Sequence, residues 1–275
     1  MSENPPPGKQ ADGSYSAAWR RFTKIVLPPS IRAMMRLDWT GQEHVPASGG
    51  MILAANHLSY MDVLALSLFV HRAGRYPVFL AKSSLFEVPG LGFLMRKLGQ
   101  LPVYRGQVNA GLVLNTAERI GRAGACVIFY PESTVTRDPD KWPMVAKTGV
   151  ARMALAENLP VVPVAHWGAQ RILPYGSLVP KFLPRKTVQV LAGPPVDLSE
   201  FAGQPITNQV LRAATDKIMT EVAALLGQLR HEAPPEKFYH PAVARRQFRQ
   251  DMRALAEASQ NEKAADPAAP GAESS

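Results

Sequence analysis

The sequence predicts an α/β protein with a mixed, largely parallel β-sheet flanked by helices, preceded by an N-terminal amphipathic helical segment. Short apolar runs of strand length alternate with longer segments in which apolar residues recur every three or four positions. This alternation is typical of strand–helix–strand units, whose strands run parallel. The chain has 275 residues, 46% of them hydrophobic, which is enough to bury one sizeable core.

The N-terminal region divides into two segments. Residues 1–15 are polar and rich in proline and glycine, which predicts disorder, and they lack the apolar core of a secretory signal. Residues 16–36 combine apolar positions three and four apart with basic residues, which predicts a basic amphipathic helix broken at Pro28-Pro29. Such a helix can lie on an anionic membrane surface or pack on its own domain, and this segment alone leaves both interpretations open.

Strands and helices alternate through the next part of the chain, residues 37–230, which we interpret as the main domain. The predicted strands are residues 51–55, 77–81, 100–104, 125–130, 161–165 and 187–192. The predicted helices are residues 59–70, 83–98 with an interruption at Pro89-Gly90, 109–122, 149–158 and 208–229. Residues 231–258 are predicted to form a C-terminal helical extension, and residues 259–275 a disordered tail.

Composition narrows the function classes. A net charge of +9 fits nucleic acid, an anionic membrane face or acidic small substrates. Nucleic-acid motifs and glycine-rich nucleotide-binding patterns are absent from the sequence, so we expect no nucleic-acid partner. The single cysteine, Cys126, lies in an apolar run, which predicts a buried structural thiol. No uninterrupted apolar run reaches the length of a membrane span.

The first candidate site is the pair His57 and Asp62, which follows the predicted strand 51–55. An imidazole can take a proton from a hydroxyl near neutral pH, and a carboxylate on its other nitrogen orients it. Residues five apart cannot share a helix face, so the pair can meet only if His57 precedes the helix and Asp62 lies in its first turn. The spacing of Ser59 and Asp62 matches a capping box, so Asp62 can alternatively serve only as a helix cap.

Three further clusters follow strand ends. Arg105, followed by glycine, can hold a phosphate or simply close a strand on the surface. Residues 130–137 offer hydroxyls, a carboxylate and an arginine, which suit either a glycerol phosphate or an ordinary polar loop. Pro163 interrupts the apolar run 161–164, and proline in a strand predicts an edge or a bulge.

The order of these blocks resembles the glycerolipid acyltransferase superfamily, and the nearest type is the bacterial 1-acylglycerol-3-phosphate acyltransferase. The resemblance covers roughly residues 35–200 and rests on four blocks in sequence: His-x4-Asp, strand-Arg-Gly, Pro-Glu-x-Thr and Val-Pro-Val. Residues 81–86 and 194–198 also look like segments of that family.

The resemblance implies transfer of a fatty acyl group from acyl-CoA or acyl carrier protein to the free hydroxyl of 1-acylglycerol 3-phosphate, giving phosphatidic acid. It implies that His57 is the general base and Asp62 its orienting group, with no metal and no bound cofactor. The implied substrate-binding residues are Arg105, Glu132, Ser133, Thr134 and Arg137. A lipid substrate implies a peripheral protein on the cytoplasmic face of the cell membrane, with residues 16–36 as its interface segment.

The third block departs from the family pattern Pro-Glu-Gly-Thr-Arg. Ser133 replaces the glycine, and arginine appears only at Arg137. The same chemistry on glycerol 3-phosphate, another lysophospholipid or a glycolipid is therefore an alternative. Thioester hydrolysis, and a non-catalytic lipid-binding membrane protein, are further alternatives. The sequence leaves the oligomeric state unknown.

Overall fold

A computed structural model describes residues 17–103, 110–246, 249–250 and 252–253. Its helices are α1 (Ala17–Met34), α2 (Asp62–Arg72), α3 (Leu91–Lys97), α4 (Ala110–Ala123), α5 (Gly149–Ala156) and α6 (Asn208–Arg230). Its strands are β1 (Arg36–Thr40), β2 (Met51–Ala55), β3 (Pro77–Lys82), β4 (Leu101–Val103), β5 (Cys126–Phe129), β6 (Val161–Trp167) and β7 (Thr187–Ala192).

The seven strands form one sheet in the order β1-β7-β6-β2-β5-β3-β4. All neighbouring strands are parallel except β6 and β7, which are antiparallel. The predicted fold class, a mixed and largely parallel sheet flanked by helices, is confirmed. Strand β2 is central and all five of its residues are buried, which is why it reads as a continuous apolar run in the sequence.

Helices cover both faces of the sheet, so there are two main hydrophobic clusters. Alternate residues of β2 divide between them, because successive side chains of a strand point to opposite faces. Met51, Leu53 and Ala55 pack on one face with α1 and α2. Ile52 and Ala54 pack on the other face with α4, α5 and α6. Cys126 is buried in the first cluster, and burial raises the pKa of its thiol to about 12.

The structure of the N-terminal segment differs from the sequence prediction in two ways. The predicted break at Pro28-Pro29 is wrong, because α1 continues through both prolines. Their missing N–H groups leave the carbonyls of residues 24 and 25 without a helical donor, but Ile25 is exposed, so water can replace it. The sequence also missed β1, whose alternately exposed residues pair with β7 at the sheet edge.

The sequence predicted an edge or a bulge at Pro163, and the edge is wrong because β6 lies inside the sheet. Strand β6 pairs with β2 on one side and β7 on the other. The Pro163 carbonyl accepts a hydrogen bond from Gly193 N–H, just beyond β7, so its nitrogen faces that same side. Regular pairing with β7 begins only at Val164, and the missing donor therefore costs no ladder hydrogen bond.

Several predicted features fall partly or wholly outside the described residues. They are Arg105, the two terminal tails and the end of the predicted strand 100–104. The described residues of the C-terminal extension include a helical stretch at 241–246.

The sheet gathers several loops at one edge. Strands β2, β3, β5 and β6 are parallel, so the segments that follow them all leave from the same carboxyl edge. Because β7 is antiparallel to β6 and β1 is parallel to β7, α1 also ends at this edge. His57 and the Glu132 loop are therefore neighbours although they are far apart in sequence.

Gly41, which follows β1, tests the close packing of the chain against the end of β7. It has a φ of 86°, and a Cβ added there would lie 2.0 Å from the Ala192 carbonyl oxygen. We expect Gly41→Ala to lower the free energy of unfolding by about 2 to 4 kcal/mol, through backbone strain and overpacking together. Urea denaturation measures this loss.

The matched control is Gly203→Ala, because Gly203 has a φ of 72° but open space around its Cβ position. It should lose only the strain contribution, about 1 kcal/mol. Equal losses in the two variants would contradict the close contact between Gly41 and Ala192.

Candidate active site

His57 and Asp62 form a hydrogen-bonded pair in the loop between β2 and α2. His57 Nδ1 lies 2.9 Å from Asp62 Oδ2. A carboxylate oxygen only accepts, so Nδ1 carries the hydrogen and Nε2 of the neutral ring is the free acceptor. Nε2 has no hydrogen-bond partner among the residues that the structure describes.

The local chain conformation makes this pair possible. Helix α2 begins at Asp62, so His57 precedes the helix, and the predicted arrangement is confirmed. Asp62 Oδ2 also accepts hydrogen bonds from the backbone N–H groups of Leu58 (2.7 Å) and Ser59 (2.9 Å). The contact with Ser59 matches one half of a capping box, but the N-cap of α2 is Met61 and no side chain caps it, so Asp62 Oδ2 fixes the turn before the helix and orients His57.

Asp62 is fully buried, and its environment is more polar than the sequence indicated. A second imidazole lies behind it, since His166 Nε2 is 3.4 Å from Asp62 Oδ2 and 2.7 Å from the Asn56 carbonyl oxygen. Asn56 and His166 are also joined by two further hydrogen bonds between side-chain amide and backbone. Burial lowers the pKa of His166, which favours the neutral ring at this position.

Sequence reasoning missed Asn56 and His166. Each is a polar residue directly after a buried apolar run, at the carboxyl end of its strand, and that position was the available signal. The two residues are 110 positions apart, so only the parallel pairing of β2 with β6 brings them together.

Glu132 joins the third sequence block to the histidine loop. Its Oε1 accepts from the backbone N–H of His57 at 3.0 Å, and its Oε2 accepts from that of Met144 at 2.9 Å. Thr136 N–H in turn donates to the His57 carbonyl at 2.8 Å. Glu132 is buried, and this burial raises its pKa to about 8 despite the two backbone donors. Glu132 therefore holds the backbone of His57 in place. Contact between Glu132 and the substrate stays a prediction.

Aromatic rings support the histidine from the side. Tyr130 stacks on the His57 ring with centroids 4.1 Å apart and planes inclined by 18°. Phe79 extends the stack, with its ring centroid 6.4 Å from that of Tyr130. Burial raises the pKa of the Tyr130 hydroxyl, so the ring beside His57 is uncharged. The stack supports the imidazole ring through its face and does not occupy Nε2 with a hydrogen bond.

The remaining predicted site residues lie in the loop after β5. Ser133 adopts a φ of 62°, a left-handed conformation that glycine adopts without strain. Ser133 and Thr134 are half-buried, whereas Arg137 is exposed, and its backbone N–H contacts Met144. Arg105 lies outside the described residues, so its distance from His57 is not defined.

The arrangement can remove a proton from a hydroxyl group. The base has an open nitrogen, a fixed tautomer and a buried carboxylate that stabilises the imidazolium. Among the residues that the structure describes, no three His, Cys, Asp or Glu side chains are grouped so that they can hold a metal ion.

A family model for acyltransferases matches residues 36–167. This span runs from β1 to the end of β6 and contains His57, Asp62, Glu132 and His166. We therefore identify residues 36–167 as an acyltransferase domain.

Proteins similar to this chain include a chloroplastic 1-acyl-sn-glycerol-3-phosphate acyltransferase of Brassica napus. It is 29% identical over 166 residues, which cover 59% of this chain and 46% of that protein. The 1-acyl-sn-glycerol-3-phosphate acyltransferase of Bacillus subtilis is 23% identical over 68% of this chain and 87% of its own length. The match spans slightly less than half the length of the plant relatives.

A solved structure has a similar fold. The 1-acyl-sn-glycerophosphate acyltransferase PlsC of Thermotoga maritima superposes with a TM-score of 0.54 at 23% identity, covering 79% of this chain and 85% of that chain. This likeness supports the α/β architecture described above.

The raised pKa of Glu132 predicts that the free energy of unfolding depends on pH. Its pKa is raised from 4.5 to about 8 on folding, so the folded state holds the proton more tightly. Its contribution to stability is complete below pH 4.5 and is lost as pH rises toward 8, with a slope of at most about 1.4 kcal/mol per pH unit. Urea denaturation from pH 5 to 8 measures this slope.

The comparison variant is Glu132→Gln, which has no carboxyl proton to lose. It should be less stable at pH 5, because its amide cannot accept from both backbone donors, and its stability should change less with pH. Identical pH slopes in the variant and the wild type would contradict the raised pKa.

Proposed function

We propose that this acyltransferase moves a fatty acyl group from acyl-CoA or acyl carrier protein to the free hydroxyl of 1-acylglycerol 3-phosphate. The observation that carries the proposal is the His57–Asp62 pair, held at 2.9 Å, with no hydrogen-bond partner for Nε2 among the described residues. The names of the Brassica and Bacillus relatives support the acceptor. The product is phosphatidic acid.

The proposed reaction proceeds in one transfer step. His57 Nε2 accepts the proton of the acceptor hydroxyl while that oxygen attacks the thioester carbonyl carbon. The new C–O bond forms, the C–S bond breaks, and the proton passes from His57 to the departing thiolate. Asp62 stabilises the imidazolium through Nδ1–H and keeps Nε2 directed at the acceptor. The step needs no acyl-enzyme, metal or bound cofactor.

The acceptor headgroup requires a cation. Arg105 is proposed to hold the phosphate, since a guanidinium binds it through two hydrogen bonds. Ser133, Thr134 and Arg137 are proposed to line the glycerol side of the site, and Glu132 to contribute there while bracing His57. These assignments rest on the sequence blocks.

A second acceptor class is favoured by the loop after β5. Ser133 adds a side chain where the family pattern has glycine, and Arg137 is displaced and exposed. A lysophospholipid acyltransferase of Arabidopsis thaliana is 28% identical over 120 residues. Another lysophospholipid, glycerol 3-phosphate or a glycolipid is therefore the alternative acceptor.

The proposed substrate requires access to a lipid surface. In the described part of the chain, no helix combines the length and apolarity of a membrane span. We propose that the segment 16–36 lies on the cytoplasmic face of the membrane, with its exposed apolar residues Ile25 and Val26 toward lipid.

The His57→Ala variant tests the proposed reaction. It should lower kcat by about 10²- to 10⁴-fold, because the acceptor hydroxyl loses its base. The assay is CoA release from palmitoyl-CoA with lysophosphatidate as acceptor. Asp62→Asn should also lower kcat, because the amide cannot stabilise the imidazolium.

The control is His231→Asn, at an exposed helix end whose left-handed φ of 57° asparagine tolerates. It should retain wild-type kcat. Undiminished activity of His57→Ala would refute the mechanism.

An acceptor panel separates the candidate functions. Lysophosphatidate, glycerol 3-phosphate, a neutral lysophospholipid and a glycolipid are compared in the wild type and in Arg105→Gln. We expect Arg105→Gln to raise KM about tenfold or more only for acceptors with a terminal phosphate, because it loses a charge-assisted contact.

The other outcomes are equally distinct. Acyl transfer only to acceptors without phosphate would remove Arg105 from its role. CoA release that is independent of acceptor would identify a thioesterase. Vesicle binding without CoA release from any combination would identify a non-catalytic lipid-binding protein.

A further inference from the structure

The segment between β6 and β7 exposes an unusual set of large apolar side chains. We name residues 172–186 the β6–β7 loop. Leu178 is 94% exposed, Leu183 is 85% exposed and Val179 is 71% exposed. Single exposed apolar residues are common on soluble proteins, but a group on one loop indicates a surface that another apolar phase covers.

The loop is anchored, so its apolar residues are held outward. Ile172 is buried, and Leu173 and Phe182 pack against the sheet cluster that also contains α1 and α2. The two arms of the loop are joined by a hydrogen bond from Lys181 N–H to the Ile172 carbonyl at 2.7 Å. Lys186 Nζ donates to the Leu183 carbonyl at 3.0 Å.

Charge on and beside this loop has one sign. Residues 168–187 contain four basic residues and neither aspartate nor glutamate. Arg171, Lys181 and Arg185 are exposed, and Lys186 is half-buried. Apolar residues flanked by cations fit the interface of an anionic bilayer, where the apolar groups enter the acyl boundary and the cations meet phosphates.

The loop lies beside the candidate active site. Ser59, two residues after His57, donates through Oγ to the Leu173 carbonyl at 2.7 Å. At its other end, the Lys186 carbonyl accepts from Arg36 N–H at 2.8 Å, directly after α1. The β6–β7 loop therefore connects the base-bearing loop to the end of the amphipathic helix.

A second apolar element follows the carboxyl end of β3, on the other side of β2 in the sheet. The cations Arg96 and Lys97 end this element. Its exposed large apolar side chains are Leu85, Val88, Leu91, Phe93 and Leu94. The site thus lies between two elements with exposed apolar residues, both leaving the same edge of the sheet. Two such elements around one site favour an extended apolar surface, such as a bilayer, over a small ligand.

We propose that the β6–β7 loop is a membrane-contact element that inserts Leu178, Val179 and Leu183 into the interface of an anionic lipid bilayer. Lys181 lies between the inserted residues and Arg185 follows them, and both cations pair with lipid phosphates. A second copy of this chain is a poorer occupant, because it would bring another basic loop and a net charge of +9 to the same place. Membrane contact by this loop does not depend on the proposed function. Only the role of that contact, bringing a lipid acceptor to His57, rests on the proposed function.

Two double variants test the apolar and the charged contributions. Leu178→Asp/Leu183→Asp should weaken sedimentation with phosphatidylglycerol/phosphatidylcholine vesicles at least tenfold. Lys181→Gln/Arg185→Gln should weaken binding to these vesicles about tenfold and leave binding to pure phosphatidylcholine unchanged. Thermal unfolding of each variant should match that of the full-length wild type, since the altered side chains are exposed.

The controls remove equivalent groups outside the two apolar elements. Ile206→Asp alters an exposed apolar residue, and Arg119→Gln/Arg122→Gln removes two exposed charges from α4. Both should keep wild-type vesicle binding within about twofold. Equal loss in loop and control variants would overturn the proposal, as would unchanged vesicle binding of the loop variants.

A direct probe of insertion uses Leu178→Cys labelled with a polarity-sensitive thiol dye. Cys126 is buried, so it should stay unlabelled. Vesicles should shift the emission of the label at residue 178 to shorter wavelength, and a label on Ile206→Cys should not shift. A shift that instead follows protein concentration without vesicles would identify a second copy as the occupant and overturn the proposal.

Activity assays separate this inference from the proposed function. Loop variants should lose acyl transfer to lysophosphatidate in vesicles but keep it with a short-chain, water-soluble lysophosphatidate. If the wild type transfers no acyl group while the loop variants still lose vesicle binding, the proposed function fails and the loop proposal stands. If transfer occurs but the loop variants bind vesicles normally, only the loop proposal fails.

Discussion

One carboxylate oxygen, Asp62 Oδ2, holds the candidate active site together. It accepts hydrogen bonds from the His57 ring and from the backbone of Leu58 and Ser59, while His166 approaches from behind. Each donor fixes a different part of the turn between β2 and α2. Removing one of these donors would leave the buried carboxylate less well compensated, so the turn has little freedom. The orientation of the base follows from the folding of the loop itself.

Sheet topology supplies the rest of the site. Strand β2 lies between β5 and β6, so segments following three parallel strands meet at His57. The strand β5 side contributes Glu132 and the Tyr130 ring, and the β6 side contributes His166 and the Leu173 carbonyl. Because rigid strands carry these groups, the base can be held closely enough for proton transfer. The loops beyond them are free to meet a lipid surface.

Local patterns predicted much of this molecule, and long-range contacts account for what they did not. Strand β2 and the His57–Asp62 turn could be predicted, since a buried apolar run and a capping pattern are local signals. The Glu132 brace spans 75 positions and the Asn56–His166 pair spans 110, and neither leaves a local pattern. Strand β1 does carry the alternation of a half-buried strand, but over only five residues, and the sequence prediction did not use it. Proline in β6 wrongly predicted an edge strand, because regular pairing with β7 begins one residue later, at Val164.

The tautomer of His57 tests the central claim most directly. Nitrogen NMR of histidine-labelled protein at pH 8, with the His57 signal assigned by comparison with His57→Gln, distinguishes protonation of the two ring nitrogens. The hydrogen bond to Asp62 predicts a protonated Nδ1 and an unprotonated Nε2. The contact of His166 Nε2 with the Asn56 carbonyl oxygen predicts the opposite tautomer for His166, with the hydrogen on Nε2. A protonated Nε2 on neutral His57 would contradict the account, because that nitrogen could not accept a proton from a hydroxyl.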